Sequence, residues 1–251
     1  MRTALPPLLS HAATRLLDAL LPGVCALCGG NAGGGQTCQE CHDQFFGQWR
    51  PRCRVCANPL PEHAGQAADS VPPCGRCLAQ PPAFDATVAA ADYALPLDTL
   101  VLQLKFGGRL ALAALFGRVL ADAALATPGF ARPALLCPVP LGPDRLAGRG
   151  FNQALEIARP LARRLDVALH PRLASRSHET AAQSLTLPSE RRANIAHAFT
   201  VADGALIAGR HIGVVDDVMT SGQTLNELAA TFKRYGAARV TCLVFARTPP
   251  H

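Results

Sequence analysis

Two groups of residues in this chain have the types and spacing to do chemistry. The first is a run of four Cys-x-x-Cys pairs: Cys25 with Cys28, Cys38 with Cys41, Cys53 with Cys56, and Cys74 with Cys77. Each tight turn presents two thiolates to one point, so two such pairs converge on a tetrahedral Zn²⁺, and eight thiolates make two sites. A disulfide scaffold is the competing use. It finds no export signal in the sequence, and pairs separated by two residues suit structural disulfides poorly. One pair could be redox-active, but four in so short a stretch point to metal. The spacing leaves the partition open: sequential pairing is simplest, and interleaved pairing is sterically possible. Four thiolates per ion leave no position for water or substrate, so both sites are expected to be structural. Gly29 and Gly75 each fall directly behind a ligand, where a knuckle turn often needs backbone freedom. His42 and His63 are surplus to a complete thiolate set.

The second group is the run from Ile212 to Thr224, in which an apolar segment ends in Asp216 and Asp217 and a small polar loop opens a helix. Backbone N–H groups of Met219, Thr220, Ser221, Gly222, Gln223 and Thr224, with the positive helix end, would hold a phosphate dianion. Gly222 would let that backbone approach without a side-chain clash, while the hydroxyls of Thr220, Ser221 and Thr224 add donors. Asp216 and Asp217 can accept hydrogen bonds from ribose hydroxyls. Two other readings stand beside this one. Thr220 or Ser221 could simply cap the helix behind a solvated acidic pair. A response-regulator-like acidic pocket would call for a distant lysine and lacks the Thr-Ser-Gly-Gln-Thr cradle.

These groups need elements to position them. The 251 residues suffice for one α/β domain and a small satellite. Between Cys25 and Pro82 the chain is rich in Gly, Pro and Gln and poor in large apolar residues, so that segment cannot fold on burial alone. Beyond it, strand and helix patterns alternate. Strands are expected over Thr87–Tyr93, Ala134–Val139, Leu169–Leu173, His211–Val215 and Val240–Phe245. Helices are expected over Leu97–Lys105, Arg109–Leu125, Asn152–Leu165, with a kink or early end at Pro160, and Ser221–Tyr235. That alternation implies a mainly parallel sheet with flanking helices and ligands at the carboxyl ends of the strands. The expected division is an N-terminal amphipathic helix over 1–22, a double zinc ribbon over 23–82, and an α/β domain over 83–251. The 1–22 segment is too short and too charged to span a membrane, and Arg15 and Asp18 interrupt any signal-peptide core, which places the protein in the cytoplasm. The net charge of +6 comes almost wholly from arginine, since Lys105 and Lys233 are the only lysines. Arginine suits phosphate or nucleic acid, and Arg50, Arg52, Arg54 and Arg76 give the ribbon a basic flank.

Residues 212–224 resemble the thirteen-residue phosphoribosyl pyrophosphate signature of type I phosphoribosyltransferases. Leu104-Lys105-Phe106, Pro138-Val139-Pro140-Leu141 and Arg149-Gly150-Phe151-Asn152-Gln153 narrow the resemblance to the ComF family, together with Gln183, Leu185, Arg191, Asn194, Phe199 and the four cysteine pairs. The likeness runs from about residue 20 to 247, with Ser221 where the family loop usually has threonine. It implies a type I phosphoribosyltransferase-like fold, phosphoribosyl pyrophosphate bound with Mg²⁺, two structural zinc ions, and a role in DNA uptake during natural transformation. By the same resemblance the turn at Pro140 and Leu141 is a pyrophosphate loop, followed closely by Arg145 and Arg149. The segment 172–192 is then a hood carrying Arg176, Gln183 and Arg191. Two functions remain open at this point. One is a transferase displacing pyrophosphate with a nitrogen nucleophile, Asp216 and Asp217 holding the ribose. The other is a non-catalytic sensor of phosphoribosyl pyrophosphate or a nucleotide whose ribbon binds single-stranded DNA or a protein partner.

Overall fold

The computed structural model describes residues 23–33, 35–47, 50–61, 71–176 and 198–249. The expected 1–22 helix, Gln183, Arg191 and most of the 172–192 hood lie outside them. The chain forms two compact units that divide between residues 49 and 50.

The first unit is built on its cysteines. Val24 bridges Asn31 across the first knuckle, and helix α1 (Gln39–Phe45) begins at Cys38, whose sulfur accepts from the Cys41 N–H. Among the described residues its core is Cys25, Ala32 and Cys41, with Leu27, Cys38 and Phe45 packed against them. For the described residues of this unit, so little apolar surface cannot offset chain entropy without metal.

In the second unit the later cysteine pairs and helix α2 (Gly75–Ala79) precede the sheet. The order of elements is then β1 (Ala86–Asp92), α3 (Leu97–Phe106), α4 (Ala111–Ala126), β2 (Leu135–Pro138), α5 (Pro143–Arg149), α6 (Gln153–Leu165), β3 (Ala168–Leu169), β4 (Ala174–Arg176), β5 (Phe199–Val201), β6 (His211–Met219), α7 (Gln223–Arg234) and β7 (Arg239–Arg247). Five strands form one parallel sheet in the order β1-β7-β6-β2-β3. β4 and β5 pair apart as a short antiparallel ribbon. The parallel α/β architecture expected from the alternating pattern is thus the one the chain adopts.

Successive strand residues face opposite sides of a sheet, and β7 sorts them clearly. Phe245 stacks on Phe116 of α4 at 3.6 Å, whereas Val244 and Cys242 join Leu225, Leu228 and Phe232 of α7. The α7 side also takes in Cys53, Cys56, Cys77 and Phe84, so the second cysteine cluster shares the core of the sheet. Cys137 and Cys242 are fully buried on that side, flanking Val214 in register across β2, β6 and β7.

Three local expectations change. Pro160 does not shorten its helix, since α6 runs unbroken to Leu165. The hydrogen bond its missing N–H would make is outweighed by burial of Ala154, Ile157, Ala158, Leu161 and Leu165 along one face. The ring also lies where Gly117 of α4 leaves room, because a Cβ there would come within 2.5 Å of Pro160 Cγ and 2.6 Å of Ile157 O. The strand before the phosphate-like loop does not stop at the acidic pair but continues through Asp216 and Asp217 to Met219, held by β7. Finally, of the expected 169–173 strand only Leu169 lies in a strand, at the end of β3, and residues 170–173 turn the chain into β4.

Candidate functional site

The cysteines separate into two sets, Cys25, Cys28, Cys38 and Cys41 in the first unit and Cys53, Cys56, Cys74 and Cys77 in the second. Pairing is therefore sequential. Within each set all sulfurs lie within 4.8 Å of one another, with 3.7 Å between Cys28 and Cys38 and 3.6 Å between Cys56 and Cys74. A tetrahedron with Zn–S bonds of about 2.3 Å has edges of about 3.8 Å, so the residues fit the ion. Without a cation the sulfurs compete for charge. A hydrogen bond from Cys56 draws Cys53 down to about 4, and the same contact drives the Cys56 thiol upward. Behind Cys28 the knuckle turns through Gly29 at φ +76°, as expected. In the second site the corresponding turn falls to Ala57 at φ +54°, while Gly75 only opens α2.

The other candidate site lies at the carboxyl ends of β6 and its neighbour β2. Asp216 and Asp217 each accept from the following N–H, at 2.9 and 2.8 Å. Their side chains diverge by strand alternation. Asp217 is 4% exposed and its Oδ2 meets Lys105 Nζ at 2.9 Å, at the end of α3. Among the described residues Asp216 has no such partner, and burial together with the Asp217 charge pushes it up to about 8. The acidic pair is thus one carboxylate in an ion pair beside one carboxyl that holds its proton near neutrality.

The loop beyond them is sided. Three consecutive carbonyls are taken by guanidinium groups: Arg247 Nη1 donates to Met219 O at 2.9 Å and Thr220 O at 2.6 Å, and Arg76 Nη2 to Ser221 O at 2.6 Å. The N–H groups of Thr220, Ser221 and Gly222 have no acceptor among the described residues. Gly222 adopts φ +79° immediately before α7, and Gly222 O accepts from Asn226 N at 2.8 Å. A Cβ on Gly222 would meet Met219 Cε at 2.6 Å, a methyl that can move aside, so it is the backbone conformation that favours glycine here. Open donors at a helix start, with their carbonyls secured behind, can hold an anion.

The remaining predicted residues lie on other elements of the second unit. Pro140 and Leu141 follow β2, the strand beside β6, and Asn152 Nδ2 ties the start of α6 to Val139 O at 3.0 Å. Arg149 ends α5 with its guanidinium 5.2 Å from the centre of the exposed Phe106 ring, one residue from Lys105. Arg176 sits on β4 over Phe199 of β5 at 5.6 Å. Sequence reasoning assigned no role to Lys105 or Arg247 and gave Arg76 only a place in a basic flank. Two signals were available: Lys105 is one of only two lysines, and Arg247 directly follows the apolar run Cys242–Ala246. Of that flank, Arg52 is committed to Asp92 at 2.9 Å and Arg76 to the loop.

Residues 16–78 match the double zinc ribbon domain family and residues 152–250 the phosphoribosyl transferase domain family. The chain is 36% identical over 206 residues to DNA utilization protein YhgH of Escherichia coli K12, covering 78% of this chain and 90% of that one. It is 30% identical over 214 residues to Competence protein F of Haemophilus influenzae, covering 84% and 90%. Among solved structures, glutamine phosphoribosylpyrophosphate amidotransferase of B. subtilis aligns over 54% of this chain and 26% of its own, at 13% identity and a TM-score of 0.36. A lysine of the kind a response-regulator-like pocket needs does reach Asp217, but the sequence relationship assigns the acidic strand elsewhere. With such identity along nine-tenths of both curated relatives, the protein belongs to the ComF family, an N-terminal double zinc ribbon joined to a phosphoribosyltransferase-like domain.

Proposed function

We propose that this protein binds phosphoribosyl pyrophosphate with Mg²⁺ and serves DNA uptake or utilization. The observation that carries the reading is the sided loop, with its open N–H groups of Thr220, Ser221 and Gly222 at the start of α7 and an acidic pair on the strand leading into it. In this reading residues 219–224 hold the 5'-phosphate, and Thr220, Ser221 and Thr224 add hydroxyl donors. Asp216 and Asp217 orient the ribose hydroxyls, and the raised affinity of Asp216 for a proton lets it donate as well as accept. Pro140 and Leu141 line the pyrophosphate end, with Arg149, Arg176 and Arg191 supplying charge-assisted contacts. Mg²⁺, held chiefly by pyrophosphate and ribose oxygens, would offset charge on the departing group. If transfer occurs, a nitrogen nucleophile forms a bond to C1 as the C1–O bond to pyrophosphate breaks, and the bonding pair leaves with pyrophosphate.

The names of the curated relatives support a second reading, in which the pocket senses the ligand without turnover and the ribbon meets single-stranded DNA. Titration calorimetry of phosphoribosyl pyrophosphate with Mg²⁺ tests binding, and no heat from the wild type would end the proposal. A pyrophosphate-release assay with candidate bases then separates transferase from sensor. Single-strand binding that weakens steeply with salt is expected for the second reading, through counterion release at arginine contacts.

A further inference from the structure

The second zinc site and the loop are joined by two arginines whose arrangement does more than fill space. Arg247 is 2% exposed and, among the described residues, makes no ion pair with a carboxylate. Its guanidinium instead spans two structures: Nε donates to Cys56 O at 3.0 Å, and Nη1 donates to Met219 O, Thr220 O and Thr248 O at 2.9, 2.6 and 2.6 Å. Arg76 lies between the ligands Cys74 and Cys77 and reaches Ser221 O at 2.6 Å. Every one of these acceptors is a backbone carbonyl. A thiolate-rich metal centre carries net negative charge and so supports buried guanidinium beside it, which an apolar core would not.

We infer that Arg247 and Arg76 are positioning residues that clamp the carbonyl side of residues 219–221 to the second zinc site, so that ligand affinity at the loop depends on metal there and not at the first site. The inference rests on the phosphoribosyl reading of the loop. A trans peptide plane carries its N–H opposite its C=O, so fixing the carbonyls of residues 219–221 toward the second zinc site fixes the N–H groups of Thr220, Ser221 and Gly222 away from it. Metal loss at the second site releases the Cys56 carbonyl and the turn bearing Arg76 together. The planes are then free to rotate and the donors no longer converge. Sites of this kind depend on preorganised donors for much of their affinity. The first zinc site belongs to the other compact unit and shares no ligand with the second.

The test uses the full chain and four variants: Arg76→Ala, Arg247→Lys, Cys74→Ser at the second site and Cys28→Ser at the first. Three quantities are read: zinc per chain, affinity for phosphoribosyl pyrophosphate with Mg²⁺, and amide exchange by NMR. The informative amides are Thr248 and Asn226, which donate to Met219 O and Gly222 O, with amides of α4 as controls. Arg76→Ala and Arg247→Lys should keep both zinc ions and unchanged α4 amides, lose at least about tenfold in affinity, and exchange faster at Thr248 or Asn226. Cys74→Ser should behave likewise with one zinc fewer, whereas Cys28→Ser should lose one zinc and keep both affinity and loop exchange. Should Arg247→Lys also lose α4 protection, Arg76→Ala, at an exposed position, decides the question by itself. Wild-type affinity shared by both arginine variants overturns the clamp while leaving the ligand reading intact. No affinity in the wild type overturns the ligand reading, and the clamp is then judged on exchange alone: unchanged Thr248 and Asn226 in the arginine variants sink it. Equal effects of Cys28→Ser and Cys74→Ser sink it too.

Discussion

Gly222 carries two constraints at once, a positive φ and the closeness of the Met219 methyl. The methyl is the end of a flexible side chain and can move, so the backbone sets most of the cost of a substitution. Gly222→Val should therefore destabilise by about 1–3 kcal/mol, lowering the melting temperature by some degrees. Affinity for phosphoribosyl pyrophosphate should fall by far more, because several donors are displaced together. Calorimetry alongside thermal melts decides it, and equal affinity would leave Thr220 and Ser221 as ordinary caps. Asp216 offers a separate handle. Its folded pKa lies above the unfolded value, so between about pH 4 and 8 the native state keeps a proton that the unfolded chain has released. Stability from this group is accordingly greatest in acid and declines as pH rises through that window. Asp216→Asn should flatten the fall of melting temperature from pH 6 to 8. The zinc thiolates drift the opposite way and are shared by both proteins, so their contribution cancels in the comparison; parallel slopes would count against the raised value.

The crossing of α4 and α6 is set by Gly117, which abuts Pro160 and the Ile157 carbonyl. Gly117→Ala should force those helices apart, at a cost of about 1–3 kcal/mol in thermal or urea denaturation, without changing ligand affinity measured well below the melting transition. A stability equal to wild type would show that the helices are not held this tightly. At this scale the sequence was most legible where hydrophobic period and local chemistry agree: β1, β2, β7, α4, α7 and the grouping of the four cysteine pairs stand close to where their patterns put them. It was less so where a distant partner decides. Proline reads locally as a helix stop, yet Pro160 survives because a glycine forty-three positions earlier in the chain leaves its ring room. The strand through Asp216 and Asp217 reads as finished at its first charge, but Lys105 and the β7 ladder carry it further. The loop itself was visible in its residues, whereas the arginines that hold its carbonyls were not, since neither Arg76 nor Arg247 is near it in sequence.

Two zinc ions per chain follow from two complete thiolate tetrahedra, and elemental analysis of protein purified without added metal should find both. One ion or none, with all eight ligand thiols reactive under native conditions, would refute this. The ions should not be equivalent. Among its described residues the first unit has little core beyond its ligands, so Cys25→Ser should unfold them and leave the sheet's melting transition in place. The second set is built into the sheet's own core through Cys53, Cys56 and Cys77, so its loss should lower that transition. Among the described residues no helix is long and apolar enough to cross a membrane.

Cys137 and Cys242 complete the count of ten cysteines, and they sit at 0% exposure in the middle of the sheet, with burial pushing Cys137 up to about 12 and Cys242 upward as well. Thiolate is the form that attacks, so neither should react with a disulfide reagent while the sheet is folded. The metal-loaded chain should consequently be silent to such a reagent, giving an empty baseline without any engineered change. Every equivalent of colour released would then count a ligand let go by zinc, four per site, turning a cuvette into a clock for each metal's departure.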